Sequence, residues 1–180
     1  MFILVSPIGH KNHELADGIC EEISRVFKSS TRVSPILSDI SFAYHSERDQ
    51  YYSTVILDRI SSSAPEEAQK VLAITEKDLF IPILTHVYGE AQLGGKACIV
   101  STHRLGEGLL GMGRPDEFRR RVIKEAIHEL GHTFKLRHCR EQTCIMHYCR
   151  TVEDVDRKSL QLCRYCRVLL GDELRRLTGG

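Results

Sequence analysis

The sequence predicts an α/β fold with a mostly parallel sheet and one antiparallel edge strand. Short apolar runs typical of buried strands alternate with segments whose apolar residues recur at helical spacing, and this alternation is typical of parallel sheets. The link Gly94-Gly95 is too short for a parallel crossover, so it predicts one antiparallel pair. A chain of 180 residues that is 42% hydrophobic can bury one core, and we expect a single domain.

Strands and helices alternate along the first hundred residues. The predicted strands cover 2–6, 31–36, 71–75, 85–89 and 97–101. Asn12 is a typical capping residue and should begin a first helix. The apolar face of that helix consists of Leu15, Ile19, Ile23 and Phe27. A second helix should begin at Ser46, because Asp49 three residues later completes a pattern that resembles a capping box.

A longer helix is predicted to begin at Pro115. Proline suits the first helical turn, and the acidic residues that follow it complement the helix dipole. Its apolar face consists of Phe118, Val122, Ala126, Ile127, Leu130 and Phe134. Beyond residue 138 helical periodicity is lost until 169–177, where we expect an amphipathic C-terminal helix.

Composition excludes several classes of protein. A formal net charge of +1 argues against a general nucleic-acid binder, which needs a strong positive field. No stretch approaches the roughly 18 apolar residues of a membrane span, so no membrane association is expected. The start of the chain lacks the basic region of a signal peptide, and we therefore expect a cytoplasmic protein.

The long helix carries a metal-binding pattern, His128-Glu129-Leu130-Gly131-His132. At about 100° per residue, His128 and His132 lie roughly 40° apart and one turn along the axis, so both imidazoles can reach one cation. Glu129 projects beside them, where it could act on a water. This is the H-E-x-x-H arrangement of zinc hydrolases. The alternative is a helix with two surface histidines that bind nothing.

A third ligand is available in His138 if the chain turns sharply after His132. A continued helix would place His138 about 120° away and about 9 Å further along, too far to converge. Lys135 occupies the position at which such turns usually have glycine. We predict that Lys135 adopts a positive φ, at a cost of roughly 1–2 kcal/mol. The alternative spreads the turn over 134–136.

Five of the seven cysteines are crowded into the segment 139–166. In a cytoplasmic chain such crowding indicates metal binding before disulfides, with redox pairs as the alternative. Cys163-x2-Cys166 has the spacing of a tetrahedral zinc site, and Cys139-x4-Cys144 supplies a second pair. Cys149 follows Cys144 at the same spacing and could replace Cys139. Cys20 and Cys98 are expected to be buried as small apolar residues.

Taken together, these motifs resemble the archaemetzincin family of zinc metallopeptidases. The similarity rests on the H-E-x-x-H helix, His138-Cys139, the C-x4-C-x-M pattern that ends at Met146, and the distant C-x2-C. It implies a metzincin-like fold with a Met-turn at Met146. Residues 145–148 are also similar to the Met-turn of astacin-like metzincins, which implies that Tyr148 reaches the metal or the intermediate; the alternative is an ordinary packed tyrosine. The archaemetzincin resemblance also implies two zinc ions per chain. The catalytic zinc would bind His128, His132 and His138, and the structural zinc would bind Cys139, Cys144, Cys163 and Cys166.

The resemblance further implies hydrolysis of peptide bonds, with Glu129 as general base and a peptide or protein as substrate. Residues 1–138 would form an N-terminal subdomain that ends at the third histidine, and residues 139–180 a C-terminal subdomain. We expect an edge strand to hold the substrate in extended form. The predicted substrate-binding residues are Ala97, Cys98, Ile99, Val100 and Ser101.

Two other functions are compatible with the sequence. One is a non-catalytic zinc module in which the histidine site is degenerate. The other is an adaptor whose surface is formed by 119–121, Arg164 and Arg167. The oligomeric state is not predicted.

Overall fold

The computed structural model describes residues 2–9, 13–109 and 114–179, and the predicted cap at Asn12 lies outside them. The first half contains β1 (Phe2–Pro7), α1 (His13–Phe27), β2 (Thr31–Val33), β3 (Tyr44–His45), β4 (Gln50–Tyr52), α2 (Ser53–Ser63) and β5 (Ala68–Thr75). The second half contains β6 (Leu79–Phe80), β7 (Gly89–Ala91), β8 (Ala97–Ser101), α3 (Pro115–Thr133), α4 (Val152–Arg157) and α5 (Arg164–Thr178).

The main sheet has five strands in the order β2-β1-β5-β8-β7. The pairs β1–β2, β1–β5 and β5–β8 are parallel, and β7–β8 is antiparallel. The predicted α/β class, mostly parallel sheet and antiparallel edge strand are therefore confirmed. Within the described ranges, no helix has the length and apolar character needed to cross a membrane.

The prediction that Ala97–Ser101 is the edge strand is wrong. This strand, β8, lies between β5 and β7, and all five of its residues are buried. An uninterrupted apolar run is typical of a strand covered on both faces. Among the described strands, β7 forms the edge on this side of the sheet, and its sequence Gly-Glu-Ala has little apolar character.

Alternate residues of the strands pack into two apolar clusters. One cluster joins the sheet to α1 and α3 and contains Leu72, Cys98 and Phe134. The other joins the opposite face to α2 and contains Val71 and Ile99. The sheet is therefore covered on both faces, which holds α3 rigidly against β8.

The capping box predicted at Ser46 is also wrong. Residues 46–49 form the turn of the β3–β4 hairpin, and Asp49 has a φ of 51°. The hairpin pairs Tyr44 with Tyr51, whose ring centroids are 5.2 Å apart. Helix α2 begins only at Ser53, because this cross-strand aromatic pair extends the preceding segment as a hairpin.

The C-terminal third is more helical than its periodicity predicts. Helix α4 begins with a capping box formed by Thr151 and Asp154, a signal that the sequence analysis missed. Helix α5 begins at Arg164 rather than 169, with the Cys163 sulfur accepting a hydrogen bond from the Cys166 amide. Helix α4 has only six residues, with one apolar pair at Val152 and Val155, and the first turn of α5 contains Arg164 and Arg167, so neither start shows a sustained apolar period.

Candidate metal centres and active-site cleft

Helix α3 carries His128, Glu129 and His132 in its buried C-terminal half. The two imidazole rings meet edge to face with centroids 4.7 Å apart, and their Nε2 atoms are 3.2 Å apart. This is the convergence expected of residues four apart on one helical face. Both rings therefore direct a nitrogen at the same point.

A sharp turn after α3 brings His138 to the same place. Lys135 has a φ of 64°, which confirms the predicted left-handed lysine. Its amide donates to the His132 carbonyl at 2.9 Å, and the Leu136 amide donates to the Gly131 carbonyl at 3.0 Å. These two bonds define a Schellman motif, in which glycine usually occupies the left-handed position. The potential ligand atoms of His128, His132 and His138 consequently all lie within 4.8 Å of one another.

The Lys135 side chain connects this turn to two neighbouring elements. Its stem covers the link between β7 and β8, where a Cβ added at Gly94 would lie 3.0 Å from Lys135 Cγ. Its ammonium group lies 3.3 Å from Glu173 Oε1 on α5. The Gly94 amide donates to the His132 carbonyl at 2.9 Å. The lysine thus makes contacts that glycine could not make.

Backbone carbonyls orient two of the imidazoles. His128 Nδ1 donates to the Ile145 carbonyl at 2.8 Å, and His132 Nδ1 donates to the Leu136 carbonyl at 2.7 Å. Such bonds fix the ring tautomer and leave Nε2 available to bind a metal. Burial holds the pKa of His128 well below its usual value and lowers the pKa of His138 to about 4. All three imidazoles are therefore neutral near pH 7, the form that binds a metal.

Glu129 is buried and lines the cleft beside the histidines. Burial raises its pKa well above the usual value, and the nearby Glu125 raises it further. The carboxylate side chain packs against the backbone of β7, since a Cβ added at Gly89 would lie 2.6 Å from Glu129 Cγ. Only glycine fits at this position, so Gly89 determines where the glutamate lies.

Met146 lies directly beneath α3. It is fully buried, and a Cβ added at Gly131 would lie 2.5 Å from its sulfur. The helix and the loop that carries Met146 therefore approach each other so closely that only glycine fits at position 131. Met146 thus packs against α3 at Gly131, between His128 and His132 in the sequence, and its role as a Met-turn stays a prediction.

The second candidate metal centre consists of Cys139, Cys144, Cys163 and Cys166, whose sulfur atoms all lie within 4.8 Å of one another. The Sγ atoms of Cys139 and Cys163 are 3.8 Å apart. Two thiolates on one tetrahedral zinc, each at about 2.3 Å, are separated by roughly the same distance. The cluster therefore fits zinc. Cys149 is not part of it, and all the cysteines are free.

The cysteine cluster and the histidine site share backbone connections. The Ile145 amide donates to the Gln161 carbonyl at 3.0 Å, while the Ile145 carbonyl accepts from His128. The Cys163 amide donates to the Cys144 sulfur at 3.3 Å. Ile145, whose carbonyl orients His128, is thus held by a hydrogen bond to Gln161, two residues before Cys163 of the cysteine cluster.

A cleft of about 780 Å³ opens over the histidines and Glu129. Its walls include β7 and the segment 148–150, but not residues 97–101. Tyr148 lies at its rim, with its ring centroid 5.0 Å from that of His138. Sequence reasoning missed Glu90 and Glu125, which also line the cleft. Glu125 could have been found, because it lies one helical turn before Glu129.

Charged residues on α3 dock the C-terminal segment. Arg121 is buried and forms a bidentate bond to Asp156, with its Nη2 2.7 Å from Asp156 Oδ2. Lys124 Nζ donates to the carbonyls of Val155 and Asp156. Arg121 is therefore engaged inside the protein, which removes it from the basic surface predicted for an adaptor.

Comparisons with known proteins agree with this arrangement. The sequence profile of Peptidase family M54 matches residues 41–172. The chain is 34% identical over 173 residues to an archaemetzincin of Methanocaldococcus jannaschii, covering 96% of this chain and 94% of the relative. It is also 34% identical over 167 residues to an archaemetzincin of Archaeoglobus fulgidus, covering 92% and 96%.

Solved structures are similar over nearly the whole chain. The archaemetzincin from Methanopyrus kandleri has a TM-score of 0.82 at 30% identity, with 97% of each chain covered. A zinc-dependent peptidase from Methanocorpusculum labreanum has a TM-score of 0.83 at 27% identity, covering 93% of this chain and 99% of that one.

Fold and site together define the class of this protein as a zinc metallopeptidase. The family match spans well over half of the chain, and the relatives align along nearly all of it. The chain therefore belongs to the archaemetzincin family, peptidase family M54.

Proposed function

We propose that the protein hydrolyses peptide bonds with Glu129 as general base. The observation that supports this is the convergence of three neutral histidines and one buried glutamate on a single cleft. Zinc held by His128, His132 and His138 would supply Lewis-acid chemistry and lower the pKa of a water to about 7. The remaining steps belong to side chains of the protein.

Glu129 would take a proton from water as the water oxygen bonds to the substrate carbonyl carbon. When the carbon–nitrogen bond breaks, the same carboxyl group would deliver that proton to the leaving amine. The raised pKa of Glu129 suits this exchange, because a more basic carboxylate accepts a proton more readily. Tyr148, at the rim beside His138, would donate a hydrogen bond to the developing oxyanion.

The substrate would lie along β7 rather than along 97–101. As the last strand of the sheet, β7 has one edge that is not paired with another strand of the described residues. Gly89, Glu90 and Ala91 also line the cleft. An extended peptide could bond to this edge and place one of its amide bonds over the histidines.

A second zinc in the cysteine cluster would make two ions per chain, with a structural role. Four thiolates leave no open position for chemistry, and such sites supply folding energy directly. A cytoplasmic location stays a prediction from the sequence. The left-handed Lys135 forms the turn that brings His138 to the site, and this supports the catalytic function over a degenerate histidine site.

Glu129→Gln tests the proposed general base. The zinc-loaded variant should bind zinc and unfold like the wild type, but should lose about 10²- to 10⁴-fold of its rate on a mixed peptide library. Glu117→Gln, an exposed change on the same helix, is the matched control and should remain active. Equal hydrolysis by Glu129→Gln and the wild type would show that another group moves the proton.

A further inference from the structure

Glu125 lines the cleft and forms an ion pair with the buried Lys158, and the hydrolytic mechanism gives this pair no role. Lys158 Nζ lies 2.7 Å from Glu125 Oε1, and side-chain exposure is 0% for Lys158 and 4% for Glu125. A buried ion pair is often no more stabilising than apolar residues of the same volume. Stability alone therefore does not explain why the two charges are there.

Glu125 differs from its charged neighbours on α3 because it lines the hydrolytic cleft. Its Oε1 accepts a hydrogen bond from Lys158, whereas its Oε2 has no partner among residues 2–9, 13–109 and 114–179. In the same part of the chain, no fully buried side-chain oxygen lacks a hydrogen bond. Oε2 therefore keeps a small accessible surface, and because Glu125 lines the cleft, a molecule bound there can donate a hydrogen bond to it.

The position of Glu125 places it next to the reacting bond. It precedes Glu129 by four residues and His128 by three, so all three project from one face of α3. One helical turn is about 5.4 Å, and an extended peptide rises about 3.3 Å per residue. The side chain of a residue that flanks the cleaved bond thus falls within reach of Glu125.

Charged residues of both signs line the cleft, namely Glu90, Glu129, Arg137 and Arg150, so the cleft as a whole does not select one charge. Tyr88 and Cys149 also line it, and burial raises the pKa of Tyr88 to about 12 and that of Cys149 to about 11, so these two side chains are uncharged near pH 7. Lys158 already neutralises the Glu125 carboxylate and would repel a second cation. A hydroxyl or amide group can satisfy Oε2 without burying a new charge.

We propose that Glu125, held in place by Lys158, selects substrates with an uncharged hydrogen-bond-donating side chain next to the cleaved bond. The inference rests on the proposed peptide hydrolysis. An aliphatic side chain of equal size would cover Oε2 without giving it a partner, and sites with a buried polar group discriminate strongly against such analogues. Glu125 is thus a specificity-determining residue.

Isosteric peptide pairs test this selectivity. Internally quenched peptides that differ only as Asn against Leu, or Thr against Val, at one residue flanking the cleaved bond are compared on the zinc-loaded full chain. We expect kcat/KM to be at least about 10-fold higher for the Asn and Thr members. The same order should appear in their binding to Glu129→Gln, measured by fluorescence anisotropy. Equal values, or a preference for Leu and Val, would overturn the proposal.

A paired substitution tests whether Glu125 is the cause. Glu125→Leu with Lys158→Met replaces the ion pair by apolar groups, a change that buried pairs often tolerate. This double variant should prefer the Leu and Val peptides, whereas Asp156→Asn, which alters a neighbouring contact of α3, should keep the wild-type ratio. An unchanged ratio in the double variant would refute the assignment.

The two proposals fail in different ways. If the wild type cleaves no peptide, hydrolysis is refuted and the binding order on Glu129→Gln still decides the role of Glu125. If the wild type cleaves peptides without selectivity, only the role of Glu125 is refuted. Should the double variant not fold, the binding order again decides.

Discussion

Replacing Lys135 by glycine and by alanine measures the strain in the turn that delivers His138. Both changes remove the ammonium group and its 3.3 Å contact with Glu173. They differ only in whether a Cβ is present at a φ of 64°. The difference in the free energy of unfolding between the two variants therefore isolates the cost of the left-handed conformation.

The magnitude follows from opposing effects. A side chain in the left-handed region costs about 1–2 kcal/mol, whereas glycine loses about 0.4–1 kcal/mol more through the entropy of the unfolded chain. Lys135→Gly should therefore be more stable than Lys135→Ala by about 1 kcal/mol. The contact with Glu173 is half exposed and shared with Arg176, so its loss costs no more than about 1 kcal/mol. Lys135→Gly should consequently lie close to the wild type, and Lys135→Val should be the least stable.

Urea unfolding at fixed free zinc, followed by circular dichroism, provides the measurement. Arg120, an exposed residue in the right-handed part of α3, supplies the control. There, Arg120→Ala should be more stable than Arg120→Gly by about 1 kcal/mol, the opposite sign. If alanine equalled or exceeded glycine at position 135, the strain assigned to this turn would be absent.

Three further changes have defined outcomes. Cys163→Ser should lower the zinc content by one ion per chain and accelerate hydrogen exchange over 139–166. A variant that kept its full zinc content would contradict a site made of thiolates. Lys70→Met removes a hydrogen bond to the buried Thr133 carbonyl and one to the partly buried Gly95 carbonyl, and should cost about 2–3 kcal/mol in urea unfolding. A loss below about 1 kcal/mol would contradict this reasoning. Burial alone would raise the pKa of Asp78, but bonds from Arg104 and Gln50 outweigh it and lower the pKa. The stability difference between the wild type and Asp78→Asn should therefore be constant above about pH 5 and shrink below about pH 4. A stability difference that increased as the pH fell would contradict the lowered pKa of Asp78.

The histidine site could be predicted from the sequence because its geometry is local. The spacing of His128 and His132 determines their convergence, and the distance to His138 requires a turn whose only unusual feature is Lys135. The cysteine cluster was likewise predicted from its spacing, and the structure brings together Cys139 rather than Cys149 with the other three.

Features that depend on distant neighbours could not be predicted in the same way. The apolar run of β8 shows that it is buried, but not that β7 covers its outer edge. Ser46 and Asp49 match a helix cap locally, yet pairing between Tyr44 and Tyr51 makes the segment a hairpin.

The polar partners of the site were missed for the same reason. Lys158 follows Glu125 by 33 residues in the sequence, and no periodic pattern relates the two. The carbonyl that orients His128 belongs to Ile145, and any residue type could supply it. Backbone groups carry no sequence signature, so this part of the site became visible only in the folded chain.

The hydrogen bond between the Ile145 amide and the Gln161 carbonyl sets the order in which a growing chain can complete its metal site. During synthesis α3 leaves the ribosome first, and at about 5–20 residues per second the segment that holds Ile145 follows only seconds later. Until then His128 lacks a fixed carbonyl partner. The emerging chain therefore passes through an interval in which α3 is complete but the His128 ring still lacks the backbone acceptor that orients it, and that acceptor is held in place only after residue 161 has been made.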